Sequence, residues 1–239
     1  MPEYYDIQRT ATALLMEKLS VTPENFFEHI QHNAGYIILK IVYGYELRET
    51  NDPYLRLVLD ATEGFVAASN HGSFWVDYFP LLKFVPAALP GASFKKKALR
   101  WRQFNKALKD EPWDWVKRAL ENGTAIPSFC TQSAERLSVT PGENSVTEDM
   151  IKNCASNAYL GGADTTVSSI LTFIMAMALY PQFQIRAQTE IDAVVGFGRV
   201  PDFEDRDRLP FVNAILAEAA RWQPVSPLGG SSVELAFLD

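Results

Sequence analysis

The 239 residues are 47% hydrophobic and 21% charged, a balance that suits one globular core, or two, and excludes a disordered chain. A formal net charge of −7 speaks against nucleic acid as a partner, since phosphate binding calls for a basic footprint. Cys130 and Cys154, the only two cysteines, exclude a disulfide framework and stand in no CxxC or Cys/His cluster, which points to a reducing compartment.

The first residues are polar and carry no signal-peptide or anchor pattern, so a soluble chain is expected as written. Ile7, Ala11, Leu14, Leu15 and Leu19 recur at helical spacing and predict an amphipathic helix from Tyr5 to Leu19. Thr22-Pro23-Glu24 opens a second helix through Phe26, Phe27, Ile30, Ile38 and Val42, which Gly44 ends. Asp52-Pro53 starts a third through Leu55, Val58 and Phe65. His29, His32 and His71 are single histidines, read as surface or helix-end residues rather than metal ligands.

From Phe74 to Phe94 the chain changes character, with Phe74, Trp75, Tyr78, Phe79 and Phe84 punctuated by Pro80, Pro86 and Pro90. Such a stretch is either a packed surface loop or a hydrophobic lid or membrane-touching patch. Lys95-Lys96-Lys97, Arg100 and Arg102 then begin a helix to Leu120, read as a solvated basic face and closed by Glu121-Asn122-Gly123. Cys130 falls in a loop-like stretch after Pro127.

The longest pattern runs from Ser145 to Tyr180. Ser145 and Glu148 read as a capping box, and Pro181 as the stop. If continuous, it spans roughly 50 Å at ~1.5 Å per residue, so it belongs inside a domain. Gly161, Gly162, Thr165, Ser168, Ser169 and Thr172 form a stripe of small and hydroxylic side chains along it. Adjacent mid-helix glycines followed by hydroxyls predict a local irregularity between Leu160 and Thr166. Tight helix–helix packing and close approach of a flat or small ligand both explain the glycines. A mid-helix Asp164 favours the second, because a buried carboxylate is costly without a partner or a task. The unbroken apolar part is too short to span a membrane. Beyond Pro181 lie a helix ending at Gly196, a charged loop from Gly198 to Asp207, and a short helix begun by Leu209-Pro210 that carries Glu218 and Arg221 one turn apart. No Gly-x-Ser-x-Gly elbow or Ser/His/Asp set suggests a hydrolase.

Gly161-Gly162-Ala163-Asp164-Thr165-Thr166 resembles the oxygen-activation motif of the cytochrome P-450 monooxygenases. Glu218-Ala219-Ala220-Arg221, about fifty residues on, is similar to that family's Glu-x-x-Arg helix. The resemblance, to the fungal microsomal type, implies a mainly α, partial cytochrome P-450 fold with a long central helix and little sheet, as a single partial domain over 1–239. It implies haem iron as cofactor, proton delivery by Asp164 and Thr165, and a haem and oxygen pocket at Gly161, Gly162, Thr165 and Thr166. Glu218 and Arg221 become a structural ion pair, expected to be buried. A small hydrophobic substrate, an electron-donating reductase, and contact of Phe74 to Phe94 with the endoplasmic reticulum membrane are implied too.

The family's cysteine-ligand loop, Phe-x-x-Gly-x-x-x-Cys-x-Gly, is not found: Cys130 and Cys154 both precede the Glu-x-x-Arg helix, in other contexts. The expectation is therefore an internal piece of a monooxygenase, with the axial thiolate absent and no activity by itself. The competing expectation is a non-catalytic helical remnant or interaction module.

Overall fold

In a computed structural model the chain is described over residues 2–69, 72–89, 91–139 and 147–225. It is mainly α, as expected, with no strand among the described residues. Among the described residues nine α-helices follow one another: α1 (Tyr5–Val21), α2 (Phe26–Tyr43), α3 (Pro53–Ser69), α4 (Trp75–Tyr78), α5 (Ser93–Glu121), α6 (Phe129–Val139), α7 (Glu148–Leu179), α8 (Pro181–Val194) and α9 (Pro210–Trp222). The chain divides into two compact units, residues 1–164 and 165–239.

The first unit is built on the apolar faces of α2, α3, α5, α6 and the first half of α7. Leu39, Tyr43, Val58, Trp113, Val116, Ile151 and Tyr159 are among its fully buried side chains. Gly44 ends α2 with φ +68°, and a Cβ there would lie 2.6 Å from the Ile126 carbonyl oxygen, so only glycine fits both the turn and the contact. Asp52, 3% exposed, does more than start α3. Its Oδ1 accepts from the backbone N–H of Tyr54 (2.8 Å) and Leu55 (3.1 Å), and its Oδ2 from the Tyr45 hydroxyl (2.8 Å) and the Arg48 N–H (3.0 Å). Burial, aided by that bond to Asp52, pushes the Tyr45 hydroxyl up to about 12.

Cys130 is not in a loop. Ser128 and Thr131 cap α6 reciprocally, the Thr131 N–H donating to Ser128 Oγ (3.2 Å) and the Ser128 N–H to Thr131 Oγ1 (2.7 Å). The helix therefore starts at Phe129, and Cys130 is fully buried on it. Burial pushes the Cys130 thiol up to about 12.

The long helix is single, as expected, but its start and its middle differ from the expectation. Ser145 lies outside the described residues. The described helix begins at Glu148, where the Met150 N–H donates to Thr147 Oγ1 (3.2 Å). Glu148 meets α5 instead, accepting from Trp113 Nε1 (2.8 Å) and Lys117 Nζ (3.3 Å). Partial burial acts to raise Glu148, but those donors outweigh it and hold the carboxyl below its usual range. No irregularity interrupts α7 between Leu160 and Thr166. Packing explains this: Gly162 is filled from outside by Ile38 of α2, and the hydroxyl of Ser169 bonds to the Thr165 carbonyl (2.9 Å) without opening the helix. By length and composition alone α7 could cross a bilayer, yet Ile151, Ala155, Tyr159 and Ala163 place its first half in the core of the first unit.

In the second unit, α8 and α9 are joined by a segment expected as loop. Residues Phe203–Arg208 form a 3₁₀ turn, begun by Asp202, whose carboxylate accepts from the Phe203 N–H (2.7 Å). Asp205, 1% exposed, sits at its centre and accepts a bidentate pair from Arg199 (2.5 and 2.7 Å), a bond from Arg208, and the Asp202 N–H (2.9 Å). Those donors, Arg199 foremost, hold its carboxyl far below the usual carboxylate range. The Glu190 carboxylate of α8 caps α9, accepting from the N–H groups of Phe211 (3.0 Å) and Val212 (2.9 Å).

Candidate functional site

The sequence places its candidate chemistry on α7, and the helix period sorts those residues into faces. Gly161 and Thr165, one turn apart, are exposed, and so are Asn157 and Ala158 on the turn before. A Cβ added at Gly161 would meet nothing within 4 Å. Gly162 is different. Its missing side chain leaves space that Ile38 occupies, with Cδ1, Cγ1 and Cβ of Ile38 at 2.7, 2.8 and 3.4 Å from where a Cβ would stand. Close helix packing thus accounts for Gly162, while the backbone at Gly161 is open.

Ala163 and Val167 are buried, while Asp164 and Thr166 are half-buried. The Asp164 carboxylate makes no hydrogen bond or ion pair among the described residues. A half-buried acid without a partner, one residue from an open stripe of small side chains, is the least explained group on the helix as a matter of stability. Asn157 and Ala158 escaped the sequence reading, although their spacing of four and three from Gly161 was enough to put them on the same face.

The ion pair forms but is not buried. Arg221 Nε and Nη2 donate to the two carboxylate oxygens of Glu218 at 2.7 and 2.6 Å, with the side chains 73% and 60% exposed. The bonds from Arg221 hold Glu218 below the usual carboxylate range, and Glu218 in turn raises Arg221. Burial was expected because the family reading put the pair inside a core; here solvent screens it, and such pairs contribute little. Arg221→Ala should leave the thermal midpoint of this chain unchanged in a calorimetric scan. Glu218 also borders an apolar groove of about 370 Å³ within the second unit, lined by Ala176, Tyr180, Phe183, Phe211, Ile215 and Trp222.

Haem is the group the α7 motif implies. The stripe Ala158, Gly161, Thr165, with Asn157 at its edge, leaves room for the face of a flat apolar group, because its side chains are small and Gly161 is open. Neither cysteine fits an axial ligand opposite that stripe. Cys130 is a buried, protonated thiol of α6, and Cys154 stands exposed on α7 itself, some 16 Å along the axis from Thr165 at ~1.5 Å per residue. Among the described residues no cluster of His, Cys, Asp or Glu could hold a metal ion, which accords with His29 bonding Thr22 and His32 bonding the Arg48 carbonyl.

Comparison with known proteins agrees with the motifs. The family described as Cytochrome P450 matches residues 7–231. A cytochrome P450 monooxygenase of Armillaria gallica is 42% identical over 214 residues, covering 90% of this chain and 42% of that protein. Tryptamine 4-monooxygenase of Psilocybe cyanescens is 38% identical over 228 residues, covering 95% of this chain and 44% of that protein. A solved zebrafish cytochrome P450 structure with progesterone shares the fold, with a TM-score of 0.71 at 24% identity, over 95% of this chain and 51% of that one. The chain spans about two fifths of the length of these fungal relatives. With a family match over nearly its whole length and a helical fold in common, this chain belongs to the cytochrome P450 family.

Proposed function

We propose that residues 1–239 are the central part of a haem-dependent monooxygenase that inserts one oxygen atom of O2 into a small hydrophobic substrate, the other leaving as water. The observation that carries this reading is the open Gly161–Thr165 face of α7 beside an unpartnered, half-buried Asp164. Haem with a thiolate ligand, when bound, supplies the activation of dioxygen. This chain's residues do the rest on one side of it. Gly161 and Ala158 leave room at the backbone, Thr165 Oγ1 holds and passes a proton, and the Asp164 carboxylate replenishes it from the half-exposed flank of the helix. Gly162 sets the helix against Ile38 of α2 in support. Glu218 and Arg221 act as a structural pair in the complete protein, where further chain covers them.

On this reading the thiolate comes from sequence outside 1–239, electrons come from a reductase, and the complete protein works at the endoplasmic reticulum membrane. Residues 74–94 touch that membrane: Trp75, Leu81 and Phe84 are 73%, 79% and 72% exposed, more apolar surface than a solvated loop carries. The chain by itself should not form a thiolate–haem complex or hydroxylate anything. Adding haemin to the purified chain and recording the reduced, carbon-monoxide-bound spectrum tests this. No red-shifted Soret band is expected; one that appeared would mean that Cys130 or Cys154 ligates iron.

A further inference from the structure

We infer that Asn122 is a site of self-modification, at which the side-chain amide cyclises onto the nitrogen of Gly123 and opens to aspartate and isoaspartate. Asn122 is the only asparagine in the sequence that a glycine follows. Glycine matters there because a β-carbon on the next residue hinders approach of its nitrogen to the asparagine Cγ. The chain holds glycine at 123 for another reason, which is to close α5. Gly123 takes φ +68°, and two bonds seal the last turn. The Thr124 N–H donates to the Ala119 carbonyl (2.9 Å) and the Gly123 N–H to the Leu120 carbonyl (3.1 Å). The helix end needs a left-handed residue, and that need places the reactive pair.

The Asn122 side chain is open to the reaction. It is exposed and makes no hydrogen bond among the described residues, so the amide is not held in place and water reaches it. Gly123 and Thr124 are exposed as well, and no atom lies within 4 Å of where a Cβ on Gly123 would stand. The bond from Gly123 to Leu120 has to open before the nitrogen can attack. That ties the reaction to fraying of the last turn, and helix ends are the first parts of a helix to open.

In the reaction the Gly123 nitrogen bonds to Asn122 Cγ, the Cγ–Nδ2 bond breaks, and the proton from the Gly123 nitrogen leaves with Nδ2 as ammonia. Water then opens the succinimide ring at one of its two carbonyls. Opening at Cγ leaves aspartate. Opening at the main-chain carbonyl leaves isoaspartate, whose main chain runs through the former side chain. No electrons are exchanged. Either product sets a carboxylate beside Glu121 at the negative end of the α5 dipole. Isoaspartate also lengthens the connection by a methylene, so the pair of bonds that seals α5 no longer closes. The residues that follow include Ile126, whose carbonyl abuts Gly44 at the end of α2, and Ser128 and Thr131, which cap α6. The change therefore falls where α2, α5 and α6 meet.

Peptide mapping of the purified full chain, aged at mildly alkaline pH and probed with a protein isoaspartyl methyltransferase, tests this. Residues 119–136, freed by trypsin, hold Asn122 as their only asparagine. That peptide should take up the methyl label and gain the mass of an acid in place of an amide. Both changes should run faster at higher pH, where the attacking nitrogen loses its proton more readily. The rate in the folded chain should lie within about tenfold of the rate in urea, since only a helix end has to open. Asn122→Gln, with wild-type helical circular dichroism, should show neither change, and its thermal midpoint should fall less on ageing than that of the parent. A peptide that stays unmodified in the folded chain while it is converted in urea would overturn the proposal, and so would a methyl label that persists on it in Asn122→Gln.

Discussion

Asp52→Ala should cost about 3 kcal/mol of stability, read as a shift of the urea midpoint at unchanged m-value. The side chain serves two purposes at once. Removing Oδ1 leaves the first turn of α3 without the acceptor for the Tyr54 and Leu55 N–H groups, worth up to about 2 kcal/mol as a lost cap. Removing Oδ2 strands the Tyr45 hydroxyl, whose ring is enclosed by Tyr54 and Trp115 at 4.8 and 5.0 Å. A buried donor left unsatisfied costs about 1–3 kcal/mol. Tyr45→Phe on the Asp52→Ala background should recover part of the loss, since the stranded donor is then gone. A double variant no better than the single one would mean that the cap carries the whole effect.

The two glycines of α7 should respond to substitution with opposite sign. Gly162→Val drives its Cβ into Ile38, where Cγ1 at 2.8 Å as well as the terminal Cδ1 at 2.7 Å stands too near to give way by rotation at the tip. Overpacking of this kind costs about 1–3 kcal/mol. Gly161→Ala meets nothing and should stabilise the chain by about 1 kcal/mol through helix propensity alone. Thermal midpoints that move the same way for both would contradict the division of the motif into a packed glycine and an open one.

What the sequence disclosed, and what it hid, follows the range of the interactions. Helix ends were legible where the partner is within a few residues: Gly44 ending α2, Asp52-Pro53 opening α3, Pro181 opening α8 and Pro210 opening α9. The Glu218–Arg221 pair was legible for the same reason, but its exposure was not, because burial depends on what packs over it. Ser128 and Thr131 are a local cap that could have been read and would have put Cys130 on a helix. The contact of Ile38 with Gly162 and the cap that Glu190 places on α9 join residues far apart in sequence, and neither leaves a local mark. The Asp205 knot sits between: its arginines are six residues before and three after, yet a charged run reads equally well as solvated loop. For the site, residue types and spacing gave the motif, and only packing separated Gly161 from Gly162.

The central claim is that the Gly161–Thr165 face of α7 manages protons on the oxygen side of a haem. The direct measurement is the ratio of hydrogen peroxide to hydroxylated product per electron consumed, in the complete monooxygenase with and without Thr165→Ala. On the proposed reading the Thr165 hydroxyl passes protons and does not hold the cofactor, so the variant should hold haem as the parent does while most of its reducing equivalents appear as peroxide. Undiminished coupling of electrons to product in Thr165→Ala, with haem retained, would contradict the account.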